Sequence, residues 1–500
     1  MEENIKIIHL KNLNNFNFNT TINIPFDANA NIKNVIDVNT FLFDMKTECG
    51  NSKANVYGKI GIKVLYIDTD NMTNTLFETQ NFTETFLDQS ITTDTILNIN
   101  NCTITNNILS TEGTLKISCD INFAPIAYLN LSIKNNLQLN EMMITKKRSV
   151  TTNSISSLID TKFDYTCNFE TKDVISKILC HHSYLSPENV TSEDGYAVVQ
   201  GKIVSSILYE TIINDEPCLK ELKETATFKQ DIEINGLKKE NQLDLSFVFD
   251  KFSETISTEI EEDNSIITIK NKICAYGVSL KSMSIDLIDD IYSTENVIEA
   301  TTTKREYNTN VLHSSISENI INETTLADNE FAIDEVVANL NIVPEITNQY
   351  IKNDVIYFEG IITSNLTYID ENKEIKNKIL NIPFVINTKV SAQKFGCIHS
   401  NVSIIDSKIK VKRGTIIEAE YCLFIDFYNY EKETYEIVDT FTIGKQIDKS
   451  KYDFQIYIAK PNETMWELCK RIRISPDEIK NYNADLPLIM NGGEKIIIKR

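Results

Sequence analysis

The chain has 500 residues, 42% of them hydrophobic and 24% charged, with a formal net charge of −22. That length suits three or four domains, and the composition supplies packed cores and excludes wholesale disorder. Only 14 Gly and 9 Pro occur, which excludes collagen-like and low-complexity classes, while the acidic balance argues against nucleic acid or an anionic membrane as the main partner.

No run approaches the ~18 uninterrupted apolar residues of a membrane span, so no transmembrane segment is predicted. The start, Met1-Glu2-Glu3-Asn4-Ile5-Lys6, lacks a basic region followed by an apolar core, so no secretory signal is expected and the chain is placed in a cytoplasm. The ten cysteines form no C-x-x-C pair and read as reduced thiols.

In chain order, a pattern states itself three times. A strand-like run (Val38–Met45, Val174–His181, Val336–Ile342) precedes a glycine (Gly58, Gly201, Gly360). Each glycine opens an apolar run that reaches a tyrosine eight positions on (Tyr66, Tyr209, Tyr368). Polar turns follow at Asp68–Asn71, Asn214–Pro217 and Asp370–Lys373. A second run then reaches Phe82, Phe228 or Phe384, 16, 19 and 16 residues beyond the tyrosine. Strand, acidic turn and strand make a β-hairpin signal, and β-branched and aromatic residues fill both arms.

A later block, Thr114–Ile121, Ile267–Cys274 and Ile416–Leu423, alternates apolar and polar residues as a strand with one buried face does. Cys102-Thr103-Ile104 and Cys397-Ile398-His399 are a further matching pair. The glycines lie 143 and 159 residues apart, too far for a solenoid unit, so the repeats are tandem domains.

The predicted fold class is mainly β: three antiparallel β-sandwich-like repeats over residues 1–145 (with an N-terminal segment), 158–292 and 326–445, and a small βααβ module over 452–500. Polar joints are predicted near 146–157, 293–325 and 446–451. Lys146-Lys147-Arg148 reads as part of a solvated linker.

Residues 452–500 differ in charge, at +1 against −23 for the rest. Phe454–Ala459 reads as a strand. Thr464-x-x-Glu467 and Ser475-Pro476-x-Glu478 are capping boxes that open two short helices. Met465, Leu468, Cys469 and Ile472 form the apolar stripe of the first helix, and Ile479 and Tyr482 are predicted to face inward from the second. Lys495–Ile498 is the last strand.

This segment resembles the LysM family. The matching residues are Tyr457-Ile458-Ala459, Lys460-Pro461-Asn462-Glu463-Thr464, Met465-Trp466-Glu467-Leu468, Ser475–Ile479, Asn483 and Gly493–Ile496. Asn462-Glu463 stands where the family carries Gly-Asp. The preceding repeats resemble the SPOCS domains found with LysM in spore-coat morphogenetic proteins, most clearly at Asn381-Ile382-Pro383-Phe384.

The resemblance implies a non-enzymatic adaptor in spore-coat assembly. It would act in the mother cell at the forespore surface, with the coat-basement ATPase and other coat proteins as partners. The alternative it implies is a binder of peptidoglycan or cortex glycan. It also places the grip between two loops, Lys460–Glu463 (with Asn462 and Glu463) and Asp485–Met490, which presents Leu486, Leu488, Ile489 and Met490. Trp466 is expected to be an exposed anchor beside them, with Lys470, Arg471 and Arg473 as a basic rim.

Elsewhere, no nucleophile elbow, P-loop, dinucleotide turn or zinc-type spacing occurs, so no catalytic residue, cofactor or metal is predicted. Cys180, His181 and His182 are adjacent on a strand, where neighbours point to opposite faces, so they are read as structural. Asp68-Thr69-Asp70-Asn71 lacks the later ligands of a calcium loop and is read as a hairpin turn.

Overall fold

The computed structural model describes residues 5–25, 32–70, 72–99, 102–111, 114–133, 139–261, 264–327, 329–389, 396–447, 454–483 and 486–499. Strands account for 79% of the described residues and helix for 3%. The first repeat comprises β1 (Ile5–Asn12), β2 (Phe16–Pro25), β3 (Ile32–Gly50), β4 (Lys53–Asp68), β5 (Thr73–Leu87), β6 (Ile96–Asn98), β7 (Cys102–Thr111), β8 (Thr114–Phe123) and β9 (Ile126–Ile133). The second comprises β10 (Met143–Thr171), β11 (Ile175–Glu193), β12 (Tyr196–Ile213), β13 (Glu216–Glu233), β14 (Gln242–Phe249), β15 (Thr255–Glu261) and β16 (Asn264–Ser293). The third comprises β17 (Asn296–Thr325), β18 (Ile333–Lys352), β19 (Val355–Asp370), β20 (Ile375–Lys389), β21 (Cys397–Lys412) and β22 (Ile416–Gln446).

All three repeats share one plan. Three consecutive strands form an antiparallel meander: β3-β4-β5, β11-β12-β13 and β18-β19-β20. The last strand of each repeat returns to the centre of a second antiparallel sheet, between the repeat's first strand and the late strands that precede it: β10-β16-β14, with β15 also on β16, and β17-β22-β21. In the first repeat these long strands are interrupted, giving β2-β8-β7 and β1-β9-β6. The break between β8 and β9 contains Pro125, which cannot donate to a ladder.

The two sheets of a repeat pack face to face. In the second, Ile159 and Phe169 of β10 and Ile267, Ile269 and Ile273 of β16 bury against Ile203 and Ile207 of β12 and Phe228 of β13.

The recurring Gly, Tyr and Phe occupy equivalent places. Gly58 pairs with Phe82, Gly201 with Phe228 and Gly360 with Phe384 across the second hairpin of each meander. The glycines lie mid-strand, not at strand starts, and each faces a β-bulge on the first meander strand, at Phe43/Lys46, Pro187/Asn189 and Ile346/Asn348. The bulge pushes backbone toward the glycine from one side while the phenylalanine ring covers it from the other. A Cβ at these positions would stand 3.3, 2.9 and 2.7 Å from Cε1 of Phe82, Phe228 and Phe384, and at Gly201 and Gly360 it would also collide with the carbonyl oxygens of Ser186 and Glu345. Gly360→Ala is therefore expected to cost about 1–3 kcal/mol by overpacking, read as a lowered urea midpoint at unchanged slope. An unaltered midpoint would show that this crowding relaxes freely.

The polar joints predicted at 146–157 and 293–325 are strands. Residues 146–157 lie within β10, and 296–325 are the whole of β17. Both are sheet-edge strands, hydrogen-bonded on one side only, so much of their Ser/Thr/Asn-rich length faces water. The second and third repeats therefore begin at Met143 and Asn296. Lys146-Lys147-Arg148 is ladder, not linker, and Arg148 binds Asp289 at 2.9 Å and lies over the Tyr435 ring. Residues 448–451 of the third predicted joint lie outside the described residues.

The repeats are packed together as well as strung in tandem. Each first meander strand carries a bulged residue, Ile36, Leu179 and Val337, one step after the residue paired with Tyr66, Tyr209 and Tyr368. These three side chains meet in one buried cluster with Leu65, Leu208 and Leu340. Equivalent residues of three repeats meeting at one point is the signature of an approximate threefold arrangement within a single chain. A second shared core joins Ile8, Leu10 and Tyr128 of the first repeat, Val278 and Leu280 of the second, and Val311, Tyr428 and Tyr430 of the third.

Candidate functional site

The C-terminal module consists of β23 (Phe454–Ile458), α1 (Met465–Ile472), α2 (Pro476–Tyr482) and β24 (Lys495–Lys499), with β23 and β24 paired antiparallel. Both capping boxes form: Thr464 with Glu467 and Ser475 with Glu478. Met465, Leu468, Cys469, Ile472 and Ile479 are buried as the periodicity predicts. Tyr482 is exposed, because α2 ends there and Asn483 instead ties the helix to Ile497 through both amide atoms.

The two loops predicted to flank a groove are bonded to each other. Asn462 N donates to Met490 O and Met490 N to Glu463 O, both at 2.8 Å. Asn462 sits at φ +60°, a left-handed conformation that asparagine tolerates. Glu463 is buried and accepts from Lys460 N and from Arg471 at 2.7 and 2.9 Å. Arg471 foremost, against some burial, holds its carboxyl below the usual range. Arg471 is thus a brace for this loop, and Arg473 is the left-handed C-cap of α1. Met490 is core and Leu486 packs half-buried against it, so of the four apolar loop residues only Leu488 and Ile489 face water. Asp485 lies outside the described residues.

Trp466 is not a free anchor. Its indole N–H donates to Asp290 at 2.8 Å, and its ring meets Tyr292 edge-on at 5.1 Å. Lys470 reaches the same carboxylate at 2.7 and 2.8 Å. Burial works against ionisation of Asp290, but the hydrogen bonds from Lys470 and Trp466 outweigh it and hold its carboxyl below the usual range. Tyr292, at the end of β16, is fully buried in the module's core and donates to Ile474 O at 2.8 Å. Trp466 and Lys470, expected to meet a partner, therefore contact the second repeat. Nothing near Asp290 or Tyr292 in sequence marks them, because the contact spans some 180 residues.

Exposed apolar residues of the module lie on the other side of its sheet. Phe454, Ile456 and Ile458 are 63%, 67% and 62% exposed, and Ile497 of the neighbouring strand is also exposed; Leu488 is 79% exposed. An apolar face this open on so small a unit marks a contact surface. Its signal was present in the alternation of β23, where Phe454, Ile456 and Ile458 stand two apart and share one face.

The other groups singled out earlier also find places. Asp68 and Asp370 accept backbone N–H bonds within their own turns, from Asp70 and Met72 and from Asn372 and Glu374, which accounts for these acids as turn-formers. His181 faces Glu254 at 2.9 Å, while His182, on the opposite face, lies 3.1 Å from Asp37 of the first repeat.

No family model matches the chain, and no solved structure is found to match it. An alignment of 255 positions, which covers 46% of the chain, is 24% identical to reticulocyte-binding protein 2 of Plasmodium vivax (strain Belem), of whose length it covers 9%. Among the described residues no helix is long and apolar enough to cross a membrane.

Proposed function

We propose that the chain is a non-enzymatic adaptor of spore-coat assembly, built from SPOCS-like repeats and a LysM-like module. In this reading it works in the mother cell and tethers coat layers to the forespore surface by binding the coat-basement ATPase and other coat proteins. The observation that carries the reading is the open apolar face of Phe454, Ile456, Ile458 and Ile497, with Leu488 and Ile489 on the same module. Desolvating such a face favours a protein surface over a hydroxyl-rich glycan, whose recognition needs convergent polar groups. Glu463, the acid of the first loop, is already committed to Arg471.

The test uses the full chain against the purified ATPase of the coat basement layer. Ile456→Glu is expected to weaken binding by at least ~2 kcal/mol, about 30-fold, with an unchanged circular dichroism spectrum. Normal binding by both Ile456→Glu and Leu488→Glu would overturn this surface. Saturable retention on purified peptidoglycan, with no affinity for the ATPase, would favour the glycan-binding alternative.

A further inference from the structure

We infer that the junction of the first two repeats holds a zinc-type divalent cation, ligated by Asp37, Cys180 and His182. One ligand atom from each of these three lies within 4.8 Å of the others. Donors about 2.0–2.3 Å from a tetrahedral ion stand roughly 3.3–3.8 Å apart, so modest side-chain rotation closes the set. The sequence argument against a metal here was that neighbours on a strand diverge. His181 pairs with Glu254 instead. Cys180 and His182 are two apart and share a face.

The repeat architecture builds this set. Asp37 and Cys180 each follow the bulged residue of the first meander strand, and Asn39 and His182 stand two residues further on. The equivalent positions of the third repeat are Ala338 and Leu340, which pack in the apolar cluster at the junction. Two of three equivalent strands thus offer donors in the same pair of places, and the third closes the apolar side.

Supporting groups are in place. Asp37 Oδ1 accepts from Asn365 of the third repeat at 3.2 Å, which orients the carboxylate and leaves Oδ2 beside His182 Nε2. Asn39 is more than nine-tenths buried, its Oδ1 has no hydrogen-bond partner among the described residues, and its amide nitrogen stands 3.5 Å from His182 Nδ1. A half-turn of that amide presents the orphaned oxygen to an Nδ1–H, the usual support for a metal-bound imidazole, and leaves the Nε2 lone pair for the ion.

A cavity of about 380 Å³, lined by these residues together with Lys63, His181 and Glu254, gives access and room for a water in the fourth position. Thiol, imidazole and carboxylate together suit a borderline-soft ion and not calcium or magnesium. On binding, the sulfur–metal bond forms and the Cys180 thiol proton passes to the buffer.

The full chain, stripped with a chelator, would be titrated with cobalt(II) as a spectroscopic substitute for zinc. One equivalent should bind, with a thiolate-to-cobalt charge-transfer band and the visible bands of a tetrahedral site. Cys180→Ser should abolish the charge-transfer band and His182→Gln should weaken binding at least tenfold. Cys218→Ser, at a half-buried thiol elsewhere, should change neither. Zinc should raise the thermal midpoint of the unaltered chain and not that of Cys180→Ser. Absence of saturable cobalt binding by the folded chain, or a band that survives Cys180→Ser, would overturn the site.

Discussion

Asp244→Ala is expected to destabilise the chain by about 3–5 kcal/mol, the loss typical of breaking a buried charged pair from one side. Asp244, on β14 of the second repeat, is wholly buried. Its Oδ1 lies 2.7 Å from His399 Nδ1 of the third repeat. Its Oδ2 accepts from Tyr128 of the first repeat at 2.8 Å and from Tyr430 of the third. One carboxylate thus ties all three repeats at their shared core. Alanine leaves two phenols and an imidazole buried without their acceptor, each loss costing its own desolvation. The urea midpoint should fall steeply, and the three repeats should lose their common transition. A drop below ~1 kcal/mol would mean that water enters and replaces the carboxylate.

The same cluster sets a pH dependence. Burial opposes the charge on Asp244, but His399 and the hydrogen bonds outweigh it and hold its carboxyl below the usual range. Burial likewise opposes charge on His399, and Asp244 outweighs that and raises its pKa. The contribution of Asp244 is therefore present above about pH 4 and lost as pH falls through its lowered folded value. The contribution of His399 is complete below about pH 6.5 and lost as pH rises through its raised folded value. His313, raised by Asp426, adds in the same sense as His399.

His9 opposes both. Burial and Lys432 lower it to about 4, so protons taken up by the unfolded chain between roughly pH 6.5 and 4 weaken the fold. The clean measurement is a difference: the stability gap between the unaltered chain and His399→Gln should be widest near pH 5–6 and shrink toward pH 9. A gap independent of pH would show that His399 is neutral in the folded chain.

How much of this was legible in the sequence depends on the range of each contact. The Gly58–Phe82, Gly201–Phe228 and Gly360–Phe384 pairs lie within one hairpin, so a fixed spacing exposes them. The capping boxes at Thr464 and Ser475 are four-residue events and were equally visible. β17 was read as a joint because an edge strand with a wet face needs little apolar sequence. Tyr128 and Asp244 are 116 residues apart, and no local pattern announces that they touch. Trp466 was read as an exposed anchor for a partner, and nothing local points to the neighbours it has in the fold, Asp290 and Tyr292, which lie at the far end of β16. The pair Cys180 and His182 was dismissed by comparing adjacent positions when the strand period is two.

The docking of the module on the second repeat yields the other large effect. Tyr292→Ala is expected to cost about 3–5 kcal/mol, the range for removing a large buried aromatic, and to act locally. The ring belongs to the same cluster as Met465, Leu468, Cys469 and Ile472, and its hydroxyl is bonded to Ile474 O. Its loss opens the module's own core where that core meets β16, while the sandwiches of the three repeats keep their contacts.

Trp466 is the only tryptophan, so its emission reports this contact alone. Emission should shift to the red, and protease should sever the module from the third repeat while the repeats stay intact. Asp290→Ala should produce a smaller shift, because it removes the bonds to Trp466 and Lys470 but leaves the Tyr292 ring in place. Unchanged emission in Tyr292→Ala would mean that the module does not rest on β16 in solution. The two surfaces of the module can then be told apart by one further comparison. A partner that uses the outer apolar strand should bind Asp290→Ala and the unaltered chain equally. A partner that uses Trp466 must first displace Asp290, and should bind the variant more tightly.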